Sequence, residues 1–144
     1  MKEKARRLTL AIYGIDRAYT ANEKRKRMSR ARLNLMYALG DRNPHSQVEI
    51  CRDWMVPKTT LNTIVKQWEK LGYLRQEAIP GCRREQNLIL TEKGKIYVPG
   101  IIDNIYRAED IALKKTTEQY SDCFIEALEF FGETLRAAFQ EEER

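Results

Sequence analysis

Apolar residues recur at helical spacing through most of the chain. Leu8, Ile12, Ile15 and Tyr19 share one side of residues 4–19, with Arg6, Arg7, Asp16 and Arg17 among the rest, which predicts an amphipathic helix. The run Lys24-Arg25-Lys26-Arg27 follows as a helix end or solvated link. Ser29 is placed to cap a second helix that buries Leu33, Met36, Tyr37 and Leu39, and Gly40-Asp41-Arg42-Asn43-Pro44 ends it. In Ser46-Gln47-Val48-Glu49 the serine hydroxyl and the glutamate can each satisfy the other's backbone N–H, the capping box that starts a helix, here a short one through Trp54. Pro57 opens the next helix, because its fixed φ suits a first turn where a missing N–H costs nothing. Leu61, Ile64, Val65, Trp68 and Leu71 then form a single apolar stripe, closed by Gly72 as C-terminal cap.

Beyond Gly72 the pattern becomes strand-like. Residues 73–79, a turn at Pro80-Gly81, a charged tip Cys82-Arg83-Arg84-Glu85 and a second strand over 87–90 predict a β-hairpin with a basic tip. Thr91 caps a further helix carrying Ile96, Ile101, Ile102, Ile105, Ala108 and Ala112, which Pro99 is expected to kink or break near its start. Residues 114–117 are read as a short link, and a last helix stacks Tyr120, Phe124, Ala127, Leu128, Phe131, Leu135 and Ala138 on one side. The class is mainly α with one small β-hairpin.

Two short helices joined by Met55-Val56-Pro57 form a helix-turn-helix, a unit whose second helix offers its N-terminal residues to base edges in the major groove. The non-apolar face of that helix carries Lys58, Thr59, Asn62, Thr63, Lys66 and Lys70, with Thr60 at its edge and no acid before Glu69. On an isolated helix this would be an ordinary solvated face; the helix-turn-helix setting makes it a candidate contact. Charge adds weight. Residues 1–90 hold 19 Lys/Arg against 9 Asp/Glu, a net of +10, whereas residues 91–144 hold 7 against 12, a net of −5. The basic part attracts polyanions and the acidic part stays off phosphates.

The rest of the composition mainly excludes. With 42% hydrophobic and 33% charged residues over 144 positions, the chain suits one folded domain with attached helices. No stretch approaches the roughly eighteen apolar residues of a membrane helix, and the N-terminus lacks a signal-peptide pattern, so no membrane is expected and the expected location is cytoplasmic. Cys51, Cys82 and Cys123 have no C-x-x-C spacing and read as reduced thiols, with Cys51 and Cys123 as packing residues. His45, the only histidine, has no partner at ligand spacing, so neither a metal nor a catalytic role is assigned. No enzyme constellation, phosphate loop or cofactor motif is visible.

The order of helix, helix-turn-helix, hairpin and terminal helices resembles the MarR family of bacterial regulators. The likeness is sharpest in Leu71-Gly72-Tyr73-Leu74, and in Arg83-Arg84 followed by Leu90-Thr91-Glu92-Lys93-Gly94. It implies a winged helix-turn-helix DNA-binding domain over 29–95, between an N-terminal dimerisation helix and basic link at 1–28 and C-terminal dimerisation helices at 96–144. It implies a homodimer on double-stranded DNA, acting as a regulator, in the family's manner a repressor. Carried onto this chain, the recognition helix contributes Lys58, Thr59, Thr60, Asn62, Thr63 and Lys66, and the wing contributes Arg84 to the minor groove with Arg83 assisting. The chemistry agrees: cations neutralise phosphates, Thr and Asn hydrogen-bond base edges, and arginine suits a narrow minor groove. The terminal helices also carry more large apolar residues than a small winged helix can cover alone, which independently favours a dimer.

Two positions depart from the family pattern. Cys82 stands where the wing usually has an aspartate that braces the arginine aligned with Arg84, and Pro57 stands where a small polar cap usually starts the recognition helix. Members of the family respond to small aromatic ligands held between the DNA-binding and dimerisation parts; Tyr13, Tyr37 and Tyr97 are candidates to line such a cleft, but no motif fixes a pocket and the ligand site stays unassigned. Two other readings stay open: a winged helix that binds protein or RNA, and a redox-responsive regulator that uses Cys82, flanked by two arginines.

Overall fold

The computed structural model of the protein describes residues 1–143. These form six helices and three strands: α1 (Lys2–Lys26), α2 (Arg30–Leu39), β1 (His45–Ser46), α3 (Gln47–Asp53), α4 (Lys58–Leu71), β2 (Leu74–Ile79), β3 (Cys82–Leu90), α5 (Glu92–Tyr120) and α6 (Cys123–Glu142). The chain divides into two compact units, Met1–Ile102 and Asp103–Arg144.

In the first unit, α1 extends through Lys24-Arg25-Lys26, whose charges complement the negative end of the helix dipole, and stops at Arg27 in the left-handed region (φ 52). The basic run is therefore a helix end. Ser29 then starts α2 as expected, its hydroxyl accepting the Arg32 N–H at 3.3 Å. No residue of α1 is buried, so a polar lock ties it to α2. Arg30 donates to Asp16 at 3.0 Å and to the Thr20 hydroxyl at 3.2 Å, pairs with Glu23, and lies 5.6 Å from the Tyr19 ring centroid.

The capping box forms in full: the Ser46 hydroxyl accepts the Glu49 N–H at 3.2 Å, and the Glu49 carboxylate accepts the Ser46 N–H at 3.0 Å. An N-cap residue has extended dihedrals, here φ −72 and ψ 154, so the same backbone also pairs with Asn87 as part of β1. This strand has only two residues and no alternation to betray it. The sheet order is β1-β3-β2, all antiparallel.

Leu33, Leu35, Met36 and Leu39 of α2, Ile50, Val56, the α4 stripe Leu61, Ile64, Val65 and Trp68, the strand residues Leu74, Leu88 and Leu90, and Val98 and Ile102 of α5 make the core. Trp68 is sealed edge-on against the rings of Tyr73 and Tyr97, at 6.0 and 5.8 Å.

Several expectations change. Tyr37 is half-buried and stacks on Trp54 at 5.7 Å, and Leu71 leaves the stripe, 51% exposed. The charged tip is strand rather than loop, because Pro80-Gly81 completes a two-residue turn and pairing resumes at Cys82. α5 runs unbroken through Pro99: one lost hydrogen bond is offset by burying Val98 and Ile102 on either side. It also runs through 114–117, where the Thr116 and Thr117 hydroxyls bond back to the carbonyls of Ala112 and Lys114. The break comes at Ser121, with φ 70, so Tyr120 ends α5 instead of opening the last helix.

In the second unit, α6 has no buried residue. Ile125, Leu128, Phe130, Phe131, Leu135 and Phe139 are each at least 40% exposed. Cys123 is exposed rather than packed. Among the described residues no helix is long and apolar enough to cross a membrane.

Candidate nucleic-acid interface

The turn between α3 and α4 sets the start of the second helix. Asn34 donates to the Trp54 carbonyl at 2.8 Å and Tyr37 stacks on the Trp54 ring, so α2 holds the turn from behind. Val56 is buried. Pro57 is the N-cap itself (φ −59, ψ 138), the position where the family pattern has a small polar residue, and its carbonyl accepts the Leu61 N–H at 2.9 Å. It supplies no side-chain cap, and the first turn holds no acid. The first N–H groups of α4 and the positive end of its dipole are thus open to an anion.

Lys58, Thr59, Thr60, Thr63, Lys66 and Lys70 are exposed on this helix, and Asn62 is half-buried. The Thr63 hydroxyl donates to the Thr59 carbonyl at 3.1 Å, which leaves its oxygen free to accept. The acid nearest in sequence before the helix, Asp53, is neutralised by a two-pronged contact from Arg52 at 2.6 and 3.0 Å. Hydrogen bonding to Arg52 holds the Asp53 carboxyl below its ordinary value.

The wing is the β2–β3 hairpin. Gly81 has φ 80 and follows proline, and a type II turn requires that positive φ and favours proline before it. Cys82 pairs with Ile79 and Gln86 with Ala78, so Arg83, Arg84 and Glu85 have no β2 partner and bulge from the ladder. Both arginines are exposed. Among the described residues neither is ion-paired; Glu77 on the neighbouring strand pairs with Arg75 instead. Cys82 is a half-buried free thiol.

Thr91 caps α5 as expected, and Leu90-Thr91-Glu92-Lys93-Gly94 does more than start that helix. The Thr91 hydroxyl donates to the Gly72 carbonyl and accepts the Gly94 N–H, while the Thr91 N–H donates to the Tyr73 carbonyl at 3.1 Å. Lys93 donates to the Leu71 carbonyl at 2.7 Å and lies 5.0 Å from the Tyr73 ring centroid. Tyr73 in turn stacks on Tyr97 at 3.9 Å, and burial, then Tyr73, push the Tyr97 hydroxyl above its ordinary value. The segment is a clamp that fixes the base of the wing to the C-terminal end of α4. The sequence reading also missed Arg32, which donates to Gln67 of α4 at 2.6 Å.

His45 lies in β1, paired with Leu88 near the base of the wing. Contrary to expectation it has carboxylate partners, with Nε2 2.9 Å from Asp41 and Nδ1 3.9 Å from Glu49. No group of three side chains suited to a metal occurs among the described residues.

A recognition-type helix clamped to an arginine-bearing hairpin defines a winged helix-turn-helix protein. Residues 28–85 match the sequence model of the MarR family. A MarR family regulator from Neisseria meningitidis is 19% identical, with 94% of this chain and 96% of that one aligned at a TM-score of 0.80. A MarR family transcriptional regulator from Listeria monocytogenes, solved with a 26mer DNA, is 19% identical over 96% of this chain and 92% of that one, at 0.68. Staphylococcus aureus MepR in its DNA-binding conformation is 12% identical over 89% and 95%, at 0.71. At these identities the likeness concerns the fold. No curated protein sequence matches the chain.

Proposed function

We propose that the protein is a sequence-specific DNA-binding transcriptional regulator, a repressor that acts as a homodimer on a palindromic operator. The observation that carries the reading is the pair of cationic surfaces left without internal partners: the acid-free start of α4 and the bulged Arg83-Arg84. In this reading Lys58, Thr59, Thr60, Asn62, Thr63 and Lys66 face the major groove, with threonine and asparagine on base edges and lysine on phosphates. Arg84, assisted by Arg83, enters the minor groove. The DNA complex of the Listeria relative supports this use of the shared fold.

Residues 1–28 and 96–144 are assigned to dimerisation and 29–95 to DNA binding. The apolar side chains of α1 and α6 that stay exposed among the described residues support the dimer. Two-fold symmetry then makes the operator palindromic, with half-sites about one helical turn apart. Release by a small aromatic ligand belongs to the same reading, with no residue assigned to it.

Selection of duplexes from a random pool tests the reading. Enrichment of a palindrome whose binding weakens steeply with salt is expected, with a logarithmic slope of about −0.9 per phosphate neutralised. Enrichment of structured RNA over duplex, or salt-insensitive capture of a protein, would refute it.

A further inference from the structure

Met55 occupies the turn between α3 and α4 in the left-handed region, with φ 51, and its side chain is 86% exposed. Such turns often use glycine, which adopts this conformation without steric cost; for an L side chain the same conformation costs on the order of 1–2 kcal/mol. The strain has no return inside the chain. The core contact of this turn is made by Val56, and its position is held by Asn34 and Tyr37 through Trp54. The turn is therefore braced on both sides of a strained apolar side chain that extends into solvent. It stands three residues before Lys58, where the polar, acid-free face of α4 begins.

We infer that Met55 is a specificity-determining contact to the 5-methyl group of a thymine, beside the bases read by α4. The inference rests on the DNA-binding reading and deepens it. Three residues separate the two backbone positions by at most about 11 Å, roughly three base-pair steps, so with side-chain reach added the contacted thymine lies in the same half-site as the base or phosphate met by Lys58. The thymine methyl is the apolar group on a base edge in the major groove, and an uncharged thioether chain gains nothing from phosphates. A methionine adds both reach and apolar area where glycine would suffice for the backbone.

The test uses the full chain and a duplex selected by it from a random pool. Each thymine is replaced in turn by deoxyuridine, which lacks only the methyl group. Wild type is expected to lose about fourfold in affinity at one thymine per half-site, the loss corresponding to one apolar carbon. Met55→Gly is expected to bind the thymine and uracil duplexes equally, and to melt at or above wild type because glycine relaxes the backbone. Indifference of wild type to every replacement, or a Met55→Gly variant as sensitive as wild type, overturns the inference while leaving DNA binding intact. So does Met55→Gly changing the oligomeric mass in light scattering with unchanged DNA affinity, since the contact would then be to protein. A wild-type chain that enriches no duplex overturns the DNA-binding reading and this inference with it.

Discussion

Gly94→Ala sets two opposed effects against each other at one atom. Gly94 lies in the first turn of α5, where alanine is intrinsically the better helix former by about 1 kcal/mol. A Cβ at this position would fall 1.9 Å from the Tyr73 carbonyl oxygen, 2.9 Å from its carbon and 3.2 Å from a Leu90 methyl. Even close carbon–oxygen contacts are about 3.3 Å, so backbone has to part by roughly 1.4 Å. The Tyr73 carbonyl accepts the Thr91 N–H at 3.1 Å, and a displacement of that size breaks the bond. Overpacking costs about 1–3 kcal/mol, and stranding a partly buried polar group about 1–3 more. Set against the gain in propensity, the expected net loss is about 3 kcal/mol, or a melting temperature lower by roughly 10 °C for a chain of this length. Thermal unfolding by circular dichroism at fixed protein concentration measures it. A variant that melts at or above wild type would show that helix propensity outweighs the contact and that the clamp between α4 and the wing is not tight.

Arg84→Ala should weaken operator binding roughly tenfold in fluorescence anisotropy, and operator affinity equal to wild type would remove Arg84 from the interface. Lys66→Ala should lower affinity for all sequences alike and reduce the salt slope by about one; a change confined to one base position would mean that it reads a base instead. Light scattering should return twice the chain mass, and Phe131→Glu, on the uncovered face of α6, should return the single mass; wild type at the single mass at micromolar concentration would end the dimer reading. At Asp41, burial pulls the carboxyl upward, but hydrogen bonds from the Asn43 N–H, His45 and the Asn43 side chain prevail and hold it below 3.8. Its stabilising effect is therefore present above about pH 4 and lost as pH falls through the lower folded-state value, so Asp41→Asn should flatten the decline of stability in acid, seen in denaturant midpoints against pH.

Periodicity and end signals made most of the first unit legible in the sequence. Ser29, the Ser46–Glu49 box and Gly72 act locally, through groups within three or four residues, and each appears where the pattern put it. The α4 stripe was readable for the same reason, and its exposed reverse face followed by subtraction. Tertiary structure decided what depends on distant partners. Two-residue β1 exists only because β3 offers it a ladder, and α5 passes Pro99 because core burial outweighs a missing hydrogen bond. Gly94 looks like a poor helix residue until Tyr73 closes on it, and Met55 looks like an ordinary apolar residue until its φ and exposure are known. The apolar faces of α1 and α6 mark the remaining boundary. Periodicity alone makes these helices amphipathic; the fold leaves much of their apolar side exposed among the described residues, while the core of the winged helix is filled by α2, α4, the sheet and the start of α5.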